Sequence, residues 1–268
     1  MKSKQEFKGY EGFKRRLVQL TAIIEADLRK LKHDPYELMT RMVQPTIWLL
    51  IFGQAMSQMR PQQLSSLSYL DYIAPGVLAQ SILFISIFFG ISLIWERDMG
   101  VLHKIIVSPA PRILLVAARA ISAGLRSVPQ LLIVYFIAFW LGIHLRLEFF
   151  AFIGVLFTVM IGAAIFSTFS SIVAILVKKR ERFMGVGQVL AMPLFFASNA
   201  LYPIELMPKW LQFLSVINPL TYQVDALRSF MITGHASYFN LCIDFGLSLS
   251  LLFFFTIIAS FLYPKILR

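Results

Sequence analysis

The sequence predicts an all-α integral membrane protein with six transmembrane helices, and three observations carry that prediction. The chain is 58% hydrophobic and only 15% charged, whereas soluble domains are about half apolar and about a quarter charged. The apolar residues gather into long runs. The connections between those runs alternate between strongly basic and nearly neutral. Twenty-one of the 25 Lys and Arg fall on one side with nine of the 14 acids, leaving Arg60, Arg146, Lys209 and Arg228 on the other with Asp71, Glu148, Glu205, Asp225 and Asp244. Positive connections stay in the cytoplasm, so both termini are expected inside. The net charge of +11 is then topological. Nucleic acid is excluded as a partner, because that reading needs a soluble basic face interleaved with aromatics, and here the aromatics sit in the apolar runs.

Residues 9–32 cannot cross a membrane, since Lys14, Arg15, Arg16, Glu25, Asp27, Arg29 and Lys30 interrupt them. Phe13, Leu17, Leu20, Ile24, Leu28 and Leu31 recur at spacings of three and four, one stripe of a helix. A helix lying on the inner leaflet with its basic face toward membrane lipids is the reading favoured over a soluble amphipathic helix, and Asp34 and Pro35 end it. The first 30 residues lack the apolar core of a signal peptide, so an uncleaved, cytoplasmic N-terminus is expected. The first span, about 42–59, carries Gln44, Pro45, Gln54, Ser57 and Gln58. Amides facing hydrocarbon are costly, which makes Gln44 and Gln54 candidate liners of a transport path, although interfacial capping would also explain Gln58. Ile73 to Ile94 is a clean second span.

From Trp95 to Arg126 the chain carries Glu96, Arg97, Asp98, Lys104, Arg112 and Arg119, so its first part is a cytoplasmic connection. Gly100, Pro109 and Pro111 punctuate it as a short helix between turns. The third span then rises to about Ile143. Arg119 and Arg126 share a helical face near its inner end, either snorkelling to headgroups or lining a vestibule for anionic groups. The fourth run, Phe149 to Val177, is longer than one bilayer needs. It is rich in Gly, Ala and Ser, the residues that let membrane helices approach closely. Lys178, Lys179, Arg180 and Arg182 pin an inner turn, and Phe183 to Tyr202 returns as the fifth span. Residues 203–234 are moderately apolar and contain Pro203, Pro208 and Pro219, yet must begin and end outside because the last run, Asn240 to Tyr263, finishes at Lys265 and Arg268. That segment is read as a re-entrant helical hairpin, with a surface-lying helix as the alternative. The chain thus divides into residues 1–41, a cytoplasmic N-terminus, and 42–268, the transmembrane domain, with an inner connection at 95–112.

No enzymatic constellation is present. HExxH, GxSxG and a Walker loop are all missing from the sequence, so metal hydrolysis, acyl transfer and nucleotide hydrolysis lack their machinery. His33, His103, His144 and His235 stand apart, and Cys242 is the single cysteine, so no metal site is expected. Asp244 is the only carboxylate inside an apolar run, and ion-coupled carriers need such groups at the midplane. Energy is expected from a partner.

Two local patterns carry a family resemblance. One is the inner stretch Trp95, Glu96, Arg97, Asp98, Met99, Gly100, Val101, Leu102, His103, Lys104, continuing to Ser108, Pro109, Ala110, Pro111, Arg112. The other is the outer series from Asn199 through Tyr202, Pro203, Met207, Pro208, Asn218, Pro219, Tyr222, Asp225 and Arg228. In this order and on opposite sides they resemble the type-2 ABC exporter permeases, a group that includes drug-efflux, lipo-oligosaccharide and polysaccharide exporters. The likeness extends over nearly the whole chain.

The resemblance implies a half-transporter in a bacterial-type inner membrane. It would pair with itself or a sister permease, through the first and fifth spans, above two cytoplasmic ABC ATPase subunits that bind ATP and magnesium. This chain would bind no cofactor. Glu96, Arg97, Gly100, Val101, Lys104 and Pro109 would form the coupling loop, and Asn199, Tyr202, Pro203, Pro208, Asn218, Pro219 and Arg228 an outer gate. Gln44, Gln54, Arg119 and Arg126 are the candidate substrate path. The cargo expected is amphipathic: a drug, lipid or glycolipid. A polysaccharide, an ATP-independent channel or carrier, and a membrane scaffold remain alternatives. The short N-terminus and missing carbohydrate-binding domain favour small lipophilic cargo.

Overall fold

A computed structural model of the chain describes Thr21, Ile24, Glu25 and Arg29, and then residues 35–57, 68–102, 111–234 and 237–267. Apart from those first four positions, the predicted interfacial helix lies outside the described residues, as do His103, Lys104 and Pro109. Among the described residues the structure is almost entirely helical, and the one β feature is an isolated bridge between Leu145 and Ile232.

The first rod is α1 (Pro35–Ile47), a π-helical stretch (Trp48–Gly53) and α2 (Gln54–Ser57). Pro35 opens this helix, because a missing N–H costs nothing in a first turn. Pro45 lies within α1 and removes one rung of the ladder, and the wide-turn stretch follows it. Helix α3 (Tyr69–Phe89) opens on a capping box, in which the Ser68 hydroxyl accepts from Leu70 N–H and Asp71 accepts from Ser68 N–H. It runs through Gly90 into α4 (Ile91–Asp98). Glu96, Arg97 and Asp98, read from the sequence as part of a loop, therefore form the last turn of a helix. That helix continues because Leu93 and Ile94 are fully covered by protein.

Helix α5 (Arg112–Trp140) leads through a turn at Gly142, φ +70°, into α6 (Phe149–Val177). Lys178 then takes the left-handed conformation, φ 62°, and ends α6. Next come α7 (Arg180–Phe196), a 3-10 turn (Ile204–Leu206), α8 (Lys209–Ile217), α9 (Pro219–Met231), α10 (Leu241–Leu262) and a closing 3-10 turn (Tyr263–Leu267). Among the described residues, four stretches are long and apolar enough to cross a membrane: Tyr69–Asp98, Arg112–Trp140, Phe149–Val177 and Leu241–Ile266.

Two ends of the bundle can be recognised from contacts alone. At one, Asp71 accepts from His144 N–H at 3.0 Å, Thr233 N–H donates to the His144 carbonyl, and Arg146 N–H donates to the Met231 carbonyl. At the other, Leu93, Leu115, Phe183, Tyr263 and Ile266 share one apolar cluster. The shorter rods α1 and α7 join the same ends, since Gly53 touches Leu70 while Arg180 pairs with Asp98. Among the described residues of the basic connections predicted from the sequence, Arg97, Lys178 and Arg180 lie at the Glu96 end, and Lys265 adjoins Ile266 there.

Helix α6 is the spine. Lipid offers no hydrophobic gain for helix association, so close approach of backbones matters most. Gly154 lies against Phe230, Gly162 against Gln223, and Ser170 on α6 lies against Gly90. Helix α9 consequently climbs α6 in the antiparallel sense. Gln223 meets α6 about 20 Å along its length at 1.5 Å per residue.

A Cβ at Gly90 would overlap Ser170 and come within 2.9 Å of the Phe183 ring, whereas Gly246 faces open space. Gly90→Ala should cost about 1–3 kcal/mol through overpacking, and Gly246→Ala should be neutral or gain up to about 1 kcal/mol from helix propensity. Thermal unfolding of the detergent-purified chain checks this; equal shifts for the two variants would contradict the packing.

Candidate functional site

At the Glu96 end, helix termini converge around the turn that follows α4. Glu96 and Arg119 form a buried ion pair joining α4 to α5, two helices that flank the connection between them. Such a pair is costly to desolvate, and breaking one partner leaves the other charge stranded. Arg97 extends sideways. Its guanidinium donates to the Lys178 carbonyl at 2.7 Å, capping the end of α6, and also to Asp98. Asp98 accepts in turn from Arg180, whose guanidinium lies 4.7 Å from the Trp95 ring centroid.

Beyond this network the chain turns at Gly100, φ +71°, a left-handed conformation natural to glycine. Leu102 is buried, but Trp95, Met99 and Val101 project with 49%, 64% and 40% exposure. The result is an apolar knob on a charged, cross-braced base. Lys104 and Pro109 lie outside the described residues.

Beside that base a cavity of about 680 Å³ opens between α1, α3, α4 and α5, with Gln44, Phe84, Phe88, Trp95, Glu96 and Arg126 among its walls. Arg126 is held 5.0 Å from the centre of the Phe89 ring. The structure therefore brings together Gln44, Arg126 and Glu96. Arg119 is committed to Glu96, and neither it nor Gln54 lines the cavity.

Of the residues predicted for the opposite side, Asn199 and Arg228 meet at one carbonyl. Asn199 O accepts from the Tyr72 hydroxyl at 3.0 Å and from Arg228 at 2.9 Å, and Arg228 also lies 3.8 Å from the Tyr72 ring centroid. Tyr202 donates to Phe196 O. Pro203 and Pro208 immediately precede the 3-10 turn and α8. Asn218 forms the elbow between α8 and α9. Its side chain accepts from Leu220 N–H and donates to Leu194 O at 2.6 Å, with Pro219 as first residue of α9. This hairpin is thus fastened to α3 through Arg228 and to α7 through Asn218.

The sequence reading missed the partners of these groups: Tyr72 for Arg228, Asp98 and Trp95 for Arg180, and His144 for Asp71. It also missed the Ser237 hydroxyl set between Asp225 and Asp244. Apart from the Ser237 contacts, each joins segments far apart in sequence, and no local spacing announces it. Only Lys178 left a local trace, as the first charge after a long apolar run.

Arg228 is 3% exposed, so Arg228→Ala should strand buried carbonyls at a cost of about 3 kcal/mol. Arg228→Lys, which keeps a cation over the ring, should fall between that variant and the parent. Thermal midpoints in detergent measure this, and an unshifted Arg228→Ala would refute the assigned contact.

The family model for the ABC-2 type transporter matches residues 18–232. A Cyanophora paradoxa protein named as a transport permease, ycf38, is 31% identical over 93% of this chain and 89% of its own length. The daunorubicin resistance ABC transporter permease protein DrrB1 of Streptomyces coeruleorubidus is 26% identical over 81% of this chain and 77% of its own. The inner membrane transport permease YadH of Escherichia coli K12 is 23% identical over 68% and 70%. The helical bundle, with its braced turn at one end and fastened hairpin at the other, is that of a permease, and the chain belongs to the ABC-2 type transporter family.

Proposed function

We propose that this chain is the membrane half of an ATP-driven exporter that moves an amphipathic molecule, a drug, lipid or glycolipid, from the cytoplasm or inner leaflet outward. The observation that carries the reading is the apolar knob of Trp95, Met99 and Val101 on its braced base. It is rigid and exposed, and it sits at the basic end of the bundle, as a surface docking into a cytoplasmic motor requires. The chain crosses a bacterial-type inner membrane six times, with α1 and α7 as the two shorter crossings and both termini in the cytoplasm. ATP and magnesium belong to two copies of the separate ABC ATPase, and this chain binds no cofactor of its own.

The cavity beside the knob suits an amphipathic cargo, with aromatic walls and the polar groups of Gln44, Glu96 and Arg126 at one rim. Helix α9 begins beside the middle of α6, which supports reading 203–234 as a re-entrant outer gate. A second permease copy, or a sister subunit, completes the path along α1 and α7. These helices adjoin through Trp48 and Phe195, whose ring centroids are 5.5 Å apart. They also leave Val43, Ile47 and Ile51, and Val189, Met192 and Phe196, uncovered in the protomer.

Co-purification with its ATPase followed by reconstitution into liposomes tests the reading, with daunorubicin and a fluorescent phospholipid as probes. ATP hydrolysis stimulated by one probe, together with ATP-dependent movement of that probe, is expected. Val101→Asp should uncouple the pair by placing an unpaired charge in the apolar contact, lowering stimulated hydrolysis by about tenfold or more. Probe movement without ATP, or full stimulation in Val101→Asp, would refute it.

A further inference from the structure

We propose that Asp98, Arg180 and Trp95 are positioning residues that deliver the motor's stroke to α7, and that α7 acts as a lever passing it to the outer hairpin. This rests on the reading of the turn after α4 as the ATPase-facing surface. Individually the contacts are ordinary. Asp98 and Arg180 have side chains 35% and 40% exposed, and an exposed pair of this kind contributes only about 0–1 kcal/mol. Their placement is what matters.

Arg180 is the first residue of α7, and only Lys178 and Lys179 separate that helix from α6. Arg180 bonds Asp98 at the end of α4 and covers the Trp95 ring, while Arg97 bonds both Asp98 and the Lys178 carbonyl. A displacement of the α4 terminus is thereby applied at the lower tip of α7. One turn further on, fully buried Phe183 is embedded in the cluster of Leu93 and Ile94, so the lever is gripped by apolar packing as well as by charge. Higher up, its outward face carries exposed Met184, Gly185 and Val189.

At the upper tip three successive residues each hold a different moving part. Leu194 O accepts from Asn218 at the hairpin elbow, the Phe195 ring meets Trp48 of the first rod, and Phe196 O accepts from Tyr202. Pro193 lies inside α7 just below this tip, and a helix contacted at both ends by separate elements is a physical route for coupling between distant sites. The direct route through the core, from α4 along α3 to Tyr72 and Arg228, passes through helices buried on nearly every side, which have less room to shift.

The test uses the reconstituted permease–ATPase complex with Cys242→Ser and Ile217→Cys, placing one thiol at the exposed end of α8 beside the elbow. Labelling by an impermeant maleimide is followed with and without ATP, alongside ATP hydrolysis. In the parent, ATP should change the labelling rate. Asp98→Arg or Arg180→Asp alone should shrink that ATP-dependent change by about tenfold while hydrolysis stays within about twofold, and the double exchange, which rebuilds the pair reversed, should restore it. The proposal is overturned if either single variant responds like the parent, if the double exchange does no better than the singles, or if ATP leaves position 217 unmoved in the parent. Failure of the underlying reading shows separately, as full stimulated ATP hydrolysis in Val101→Asp.

Discussion

The buried ion pair of Glu96 with Arg119 is the constraint from which the rest of the Glu96 end follows. Two opposite charges withdrawn from water hold each other far more strongly than at a surface, and neither tolerates loss of the other. By joining the end of α4 to α5, the pair fixes the direction in which the chain leaves the bundle. The turn at Gly100 is then aimed outward, with Trp95, Met99 and Val101 projecting. Asp98 is held within reach of Arg180, and the walls of the adjoining cavity are set by the same helix ends.

A second constraint governs the opposite end. There the chain is broken into short helices, and the backbone groups freed at their ends need partners. Prolines open the short helices, and Asn218 satisfies both the N-terminus of α9 and a carbonyl of α7. Arg228 serves Asn199 O from the far side. The hairpin is stable because its broken backbone is answered by side chains on neighbouring helices. Those same side chains make it sensitive to movement of α7.

Much of this was legible in the sequence. Apolar run lengths and the sorting of Lys and Arg gave the helix order and the two ends, because lipid imposes those patterns on any chain it contains. The prolines and Asn218 marked the breaks between the short helices, and small residues marked α6 as a packing spine. The helix limit at Asp98 was less legible, since it depends on coverage of Leu93 and Ile94 by other segments rather than on local propensity. Pairings such as Tyr72 with Arg228, or Asp98 with Arg180, depend on tertiary geometry alone. Arg119 shows the consequence: its helical face suggested a path liner, and the structure gives it a carboxylate.

The central claim, that the braced knob is the surface on which the motor acts, is tested most directly by photocross-linking in cells. A photoreactive residue at position 101 should capture an ABC ATPase, while one at position 214 on α8, equally exposed but at the other end, should not. Capture from position 214, or labelling of position 101 by an impermeant reagent added outside sealed cells, would contradict the account.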